Sequence, residues 1–423
     1  MSADPFLSQP ALRILPNGNA LQGRIVLPGS KSFTNRALLL ASLAVGTSIV
    51  RQALESDDTR YMAGALAAMG VRIEREHDVF HIIGNGKLAK PAGPLFLGNA
   101  GTATRFLTAA VALVDGQVVV DGDAHMRKRP IKPLLDALAA LGIETESHGG
   151  CPPVTVFGKG GFQRDAVEID ANLSSQYVSA ILMAAPCGRQ TLTIKIADGA
   201  IGGRGYIDMT IAMMQRFGAE VEEVSRTQWR VSPAGYQPQD IAVEPDASAA
   251  TYLWAAEKLT QGKLDLGISA SAFTQPDARA YQVIGMFPRL PALIDGSQMQ
   301  DAVPTLAVLA AFNESPVRFT GINNLRVKEC DRVAALETEL CRIAPGLARQ
   351  EGGDLIVQGA AAMKGRAATA EIETYSDHRI AMSFALTGLM IDGITIKDPG
   401  CVAKTYPNFW RDLVSVGATF AQG

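Results

Sequence analysis

No apolar run in the 423-residue chain reaches the ~20 residues that a membrane-spanning helix requires, which excludes a helical membrane protein. The five cysteines, at 151, 187, 330, 341 and 401, form no C-x-x-C pair and are odd in number, which fits reduced thiols better than a disulfide framework or a zinc site. Histidine is equally sparse. His378, in YSDHRIAMS, has no second His or Cys at ligand spacing, so no metal is expected. Positive charge is not in excess either: 39 Lys and Arg against 42 Asp and Glu leave a net charge of -3, which argues against a general nucleic-acid surface. Any positive field must be local. The opening MSADPFLSQPALRILPNGNA lacks both the basic flank and apolar core of a signal peptide and the Arg-rich, acid-poor character of a transit peptide, so a cytoplasmic protein is expected. What is present, 47% hydrophobic and 19% charged residues, is the composition of a globular protein. The length exceeds what one core ordinarily supports and points to two domains of roughly 200 residues.

A short polar segment followed by an Ala- and Leu-rich helix recurs six times: GSKSFTNRALLLASLA, GNAGTATRFLTAAVAL, ANLSSQYVSAILMAA, EPDASAATYLWAAE, QDAVPTLAVLAAF and YSDHRIAMSFALTGLM. With Ser30, Asn99, Ser174, Asp246, Asp301 and Asp377 as markers, the steps are 69, 75, 72, 55 and 76 residues. A second element, an amphipathic helix closed by Gly70, Gly142 or Gly218 before a charged strand, recurs beside the first. Segments such as 118–120, 192–196 and 394–396 read as strands. The repeating unit is therefore strand, helix, strand, helix and further strands. Each polar start offers Ser, Thr, Asn or Asp as a helix cap, which aims free backbone N–H groups and the positive end of the helix dipole at the loop. Six such starts could form an anion trap.

Cations accompany these starts: Lys31 and Arg36, Arg105, Arg127 to Arg129, Arg326, Lys328 and Arg332, Arg379, and Lys404. Any one alone would read as solvated surface. Repeated beside capped helix starts in an acidic chain, they indicate a focused site for a small, multiply charged anion. The first, LPGSKSFTNRALLL, looks like a nucleotide phosphate loop but fails its G-x-x-x-x-G-K-[ST] spacing, because Gly23 precedes Gly29 by six and Ser30 separates Gly29 from Lys31. What remains is a turn with a Lys, two Ser hydroxyls and an Arg one turn into the helix. Asp301 and Glu329 are the acid–base candidates. An Asp at a helix start is ordinarily a cap and a Glu among cations ordinarily an ion-pair partner, and either is catalytic only if a substrate proton comes within reach.

Taken together, LPGSKSFTNRALLLASLA, LGNAGTATR, the KRP of HMRKRP, SSQYVSAILM, RVKECDR, YSDHRIAMS and CVAKTYPNFW resemble the 5-enolpyruvylshikimate-3-phosphate synthases, a family of enolpyruvyl transferases. The seven motifs stand in the family's order between about residues 27 and 410. The resemblance implies an α/β fold, a two-domain inside-out α/β barrel of six βαβαββ-type repeats. One globular domain would take residues 1–29 plus 244–423 and the second residues 30–243, with the active site in the cleft between them.

The resemblance further implies transfer of the enolpyruvyl group of phosphoenolpyruvate to the 5-hydroxyl of shikimate 3-phosphate, releasing phosphate by addition and elimination through a tetrahedral intermediate, with no cofactor. Shikimate 3-phosphate contacts would fall on Lys31, Ser32, Arg36, Ser174, Ser175, Gln176, Asp301, Asn324 and Lys328. Phosphoenolpyruvate contacts would fall on Lys31, Gly101, Arg129, Arg332, Arg379 and Lys404. Asp301 would be the base toward the hydroxyl, with Glu329 and Lys31 delivering protons. A monomer is expected, as is inhibition by glyphosate, which mimics phosphoenolpyruvate and for which Gly101 leaves room. Two departures stand out: Gly203 occupies a position where family members often carry a substrate-binding Ser, leaving that contact absent or supplied by Arg204, and Thr104 and Phe106 stand where many carry Met and Pro. Phe106 is expected to weaken glyphosate.

Two alternatives are a transferase using UDP-N-acetylglucosamine and a non-catalytic binder of phosphorylated metabolites. The first usually carries a reactive Cys in the loop corresponding to 121–130, where DGDAHMRKRP has none. The second gives no reason for carboxylates amid anion-binding cations.

Overall fold

The chain divides into two compact units, one of Met1–Pro28 with Pro245–Gly423 and one of Gly29–Glu244. The structure, a computed structural model, describes residues 4–16, 18–197, 201–360, 363 and 367–422.

In the Gly29–Glu244 unit, three sheets of four strands share one plan. In the second of these, Leu95–Phe96 runs parallel to Asp115–Asp121, which pairs antiparallel with Cys151–Lys159, itself antiparallel to Glu144–His148. Helices Gly101–Ala110 and Lys132–Ala140 fill the two crossovers, giving the order βαβαββ. The third sheet repeats it with Ala166–Ile169, Leu192–Ile196, Gln228–Val231 and Val221–Ser225. In the first, the opening strand comes from the far end of the segment: Asp240–Ala242 lies parallel to Val45–Arg51.

The other unit closes the same way, since the N-terminal strand Ala11–Leu15 completes the sheet of Ala367–Ile372, Asp392–Lys397 and Thr419–Gln422. Its second full sheet joins Leu293–Asp295, Val317–Thr320, Asp354–Val357 and Ala348–Glu351. The remaining repeat is truncated. Gln22–Arg24 pairs in parallel with Lys263–Asp265, and no strand follows helix Ala280–Gly285 before Leu293 among the described residues. The missing hairpin accounts for the short 55-residue step between Asp246 and Asp301.

The two helix types differ in burial. All ten residues of Gly101–Ala110, all eight of Val303–Ala310 and all eleven of His378–Gly388 are buried. A helix that is apolar all round belongs inside. The second helices expose one face, and Gly70, Gly142 and Gly218 end three of them at φ of +87°, +79° and +85°, the left-handed conformation that glycine adopts without steric cost.

Capping is realised at three of the six starts. Ser30, Asp246 and Asp377 accept from the backbone N–H groups of Phe33, Ala249 and Arg379. The other three depart from the expectation. Ala100, not Asn99, caps Gly101–Ala110 with no side-chain bond. Ser174 stands one residue before the cap, although its hydroxyl accepts from Gln176 N at 3.2 Å. Asp301 lies inside the 3-10 turn Gln300–Ala302. At Asn99 and Asp301 the physical reason is competition, because arginines take their side-chain oxygens.

Candidate active site

In the unit containing Asp301, a chain of alternating charges joins four elements. Lys404 Nζ lies 3.0 Å from Glu329 Oε1, and Glu329 Oε2 accepts from Arg332 Nη2 at 2.7 Å. Arg332 Nη1 donates to Asp301 Oδ1 at 3.0 Å, and Arg379 Nη2 donates to Asp301 Oδ2 at 2.8 Å. Lys404 ends the 3-10 segment Pro399–Lys404, Arg332 opens helix Arg332–Ile343, and Arg379 is the second residue of His378–Gly388. Each cation therefore sits at the end of a rigid element.

Asp377 anchors this chain from below. Fully buried, it accepts from Arg332 Nε at 2.7 Å and Nη2 at 3.2 Å, and its Oδ1 accepts the backbone N–H of Arg379 at 2.9 Å. Burial opposes the charge on Arg332, but Asp377, Glu329 and Asp301 outweigh it and hold the guanidinium pKa above its usual value. Arg379 is likewise raised, with burial offset chiefly by Asp301. Burial also raises the hydroxyl of Tyr252, which accepts from Arg379 Nη1 at 3.3 Å, and the thiol of Cys330, which donates to Asp377 Oδ2 at 3.5 Å. Asn324 is buried in the 3-10 turn Asn323–Val327, just before Lys328, and its Oδ1 accepts no hydrogen bond among the described residues.

In the unit containing Lys31, the cations are held differently. Lys31 opens helix Lys31–Leu43, with its ammonium 3.6 Å from Asp58 Oδ2. Arg36, only 2% exposed, donates to Thr210 Oγ1 at 2.7 Å, Ser32 O at 3.0 Å and Tyr206 O at 3.4 Å. Its guanidinium lies 4.9 Å from the centre of the Phe106 ring. These partners are neutral, and burial pushes the Arg36 pKa down to about 9, still high enough to keep the group charged near neutral pH. Arg105 Nη1 donates to Gln176 Oε1 at 2.9 Å, while Gln176 Nε2 donates to Thr102 Oγ1 at 3.3 Å. Arg129 Nη1 donates to Asn99 Oδ1 at 3.0 Å. A Cβ on Gly101 would lie 2.7 Å from Arg129 Nη2 and 2.9 Å from Arg105 Nη1, so the absent side chain is what lets the two guanidinia approach this helix start.

The site residues expected from the sequence thus fall into two sets. Lys31, Ser32, Arg36, Gly101, Arg129, Ser174, Ser175 and Gln176 belong to the Gly29–Glu244 unit, and Asp301, Asn324, Lys328, Glu329, Arg332, Arg379 and Lys404 to the other. The structure joins Asp301, Glu329, Arg332, Arg379 and Lys404 in one network and Ser32 with Arg36 in another. Sequence reading treated Asp377 only as a helix start and Asp58 not at all. The signal for Asp58 was its place in the SDDTR capping segment, four positions before the apolar Met62. Arg204 is committed elsewhere: it binds Asp208, Glu223 and the Arg226 carbonyl and stacks 5.0 Å from the Trp229 ring. Gly203 adopts φ +70° as the cap of helix Arg204–Arg216.

Helix starts that carry cations, and a carboxylate clasped by two guanidinia, mark a protein built to handle small anions. The model of the EPSP synthase (3-phosphoshikimate 1-carboxyvinyltransferase) family matches residues 15–287 and 277–413. The chain belongs to this family. It is 64% identical over 410 residues to a 3-phosphoshikimate 1-carboxyvinyltransferase of Rhizobium leguminosarum bv. trifolii, covering 97% of this chain and 98% of that protein. It is 59% identical over 412 residues to the Pseudomonas syringae pv. tomato protein of the same name, covering 97% and 99%. A solved EPSP synthase from Acinetobacter baumannii superposes with a TM-score of 0.76 at 25% identity, covering 97% of this chain and all of that one. No helix among the described residues is long and apolar enough to cross a membrane.

Proposed function

We propose that this chain transfers the enolpyruvyl group of phosphoenolpyruvate to the 5-hydroxyl of shikimate 3-phosphate, releasing phosphate, as a cytoplasmic monomer. The observation that carries the mechanism is the Asp301 carboxylate, one oxygen bound by Arg332 and the other by Arg379. A carboxylate so engaged is a weak base. The carboxylate of phosphoenolpyruvate competes for the same two guanidinia, and as it takes them it returns lone pairs to Asp301, which then removes the hydroxyl proton as the oxygen attacks C2. Arrival of one substrate in this way prepares the base for the other.

Lys404 and Glu329, 3.0 Å apart, are the pair that delivers a proton to the methylene carbon on addition and takes one back from the resulting methyl group as the C2–O bond to phosphate breaks and the double bond re-forms, with Lys31 assisting the leaving phosphate. Arg129 supplies further charge for phosphoenolpyruvate beside Gly101. Shikimate 3-phosphate is held by Lys31, Ser32, Arg36, Ser174, Ser175 and Gln176, with Asp301, Asn324 and Lys328 on the sugar side. Arg36 supports this division, since a buried guanidinium on neutral oxygens gains most from a ligand that brings its own charge. Phosphate release with phosphoenolpyruvate should occur with shikimate 3-phosphate as acceptor and not with UDP-N-acetylglucosamine. Release only with the sugar nucleotide would overturn the reading.

A further inference from the structure

Two consecutive non-glycine residues, Tyr375 and Ser376, adopt φ of +55° and +52° immediately before Asp377. The left-handed conformation is unfavourable for residues with a Cβ and persists only where surrounding contacts enforce it. Here Tyr375 is tethered by a carboxylate from another element. The Tyr375 hydroxyl donates to Glu339 Oε1 at 2.7 Å. Glu339 is fully buried on the helix that Arg332 opens, and it also accepts from Glu373 N at 3.2 Å and from Arg342 Nε at 2.8 Å. Asp377, which follows the turn, binds Arg332 and caps the helix carrying Arg379.

One tight turn is thereby tied to both helices that present Arg332 and Arg379. We infer that the Tyr375–Ser376 turn, locked by Glu339, is a positioning device that sets the mutual spacing of Arg332 and Arg379, two of the cations assigned to phosphoenolpyruvate. The clasp keeps its donor: burial and the bond to Glu339 push the Tyr375 hydroxyl pKa up to about 12, so it stays protonated at neutral pH. Neither Tyr375 nor Glu339 need touch substrate. Their effect passes through Asp377 and the ends of the two helices.

The assignment of these cations to phosphoenolpyruvate rests on the proposed function, so the test has two readouts. Tyr375→Phe removes one hydroxyl and should raise the KM for phosphoenolpyruvate by about tenfold, the scale of a lost bond to a charged partner, with the KM for shikimate 3-phosphate changed less than twofold. Equal rises in both KM values, or no change in either, would overturn the positioning role. Independently of substrate, amide hydrogen exchange at Arg379, whose N–H is held by Asp377, should accelerate severalfold in Tyr375→Phe, and unchanged exchange would refute the clasp. If the unaltered enzyme releases no phosphate from phosphoenolpyruvate, the functional reading falls while the exchange result still decides the clasp.

Discussion

Arg36 and Arg332 are both almost completely buried, yet they are held in opposite ways. Arg332 bonds three carboxylates, Asp301, Glu329 and Asp377, while Arg36 bonds a hydroxyl and two carbonyl oxygens and lies against the Phe106 ring. Their pKa values move apart accordingly, Arg332 upward and Arg36 down to about 9. The contrast separates two ways to recognise an anion. A guanidinium on neutral oxygens gains a counter-charge when the ligand arrives, whereas one among carboxylates must exchange partners, and the exchange releases a base.

The comparison breaks most visibly in stability. Arg332→Met leaves the fully buried Asp377 carboxylate without its cation, while Asp301 keeps Arg379 and Glu329 keeps Lys404, and should destabilise the protein by about 3–5 kcal/mol in denaturant unfolding, the usual cost of removing one partner from a buried pair. Arg36→Met should lie within about 1 kcal/mol of the parent or above it, because it replaces a desolvated charge that has no carboxylate partner with an apolar chain of similar length. A comparable loss in both variants would erase the distinction. In function, Arg36→Met should raise the KM for shikimate 3-phosphate by about 10- to 100-fold, as expected for a lost charge-assisted bond. The smallest effect belongs to Phe106→Leu, which removes the ring beneath Arg36 and should raise the same KM about threefold to tenfold through the lost cation–π contact. If Phe106→Leu instead altered the KM for phosphoenolpyruvate alone, the ring would be serving the other substrate.

Much of this was legible in the sequence because it is local. Each helix start pairs a polar residue with an apolar run, and Gly70, Gly142 and Gly218 mark chain reversals that need a left-handed residue. The truncation of the fourth repeat was already visible in its short step, although its cause, an absent hairpin, was not. Asp377 could be seen as a cap, and it is one. Its second duty, binding Arg332 45 positions away, depends on a contact between helices that no local pattern records. The Arg36–Phe106 stack is hidden for the same reason, since the two residues lie on different helices. Asn99 and Asp301 show the opposite failure: local chemistry predicted caps, and distant arginines won the oxygens.

The exchange of partners at Asp301 is the centre of the account, and Asp301→Asn tests it most directly. The amide keeps the size of the side chain but cannot accept the hydroxyl proton. Turnover with phosphoenolpyruvate and shikimate 3-phosphate should fall by about 10²- to 10⁴-fold, the range for loss of a general base, while calorimetric binding of shikimate 3-phosphate changes only severalfold. Near-normal turnover with binding intact would contradict the assignment of Asp301 as the base.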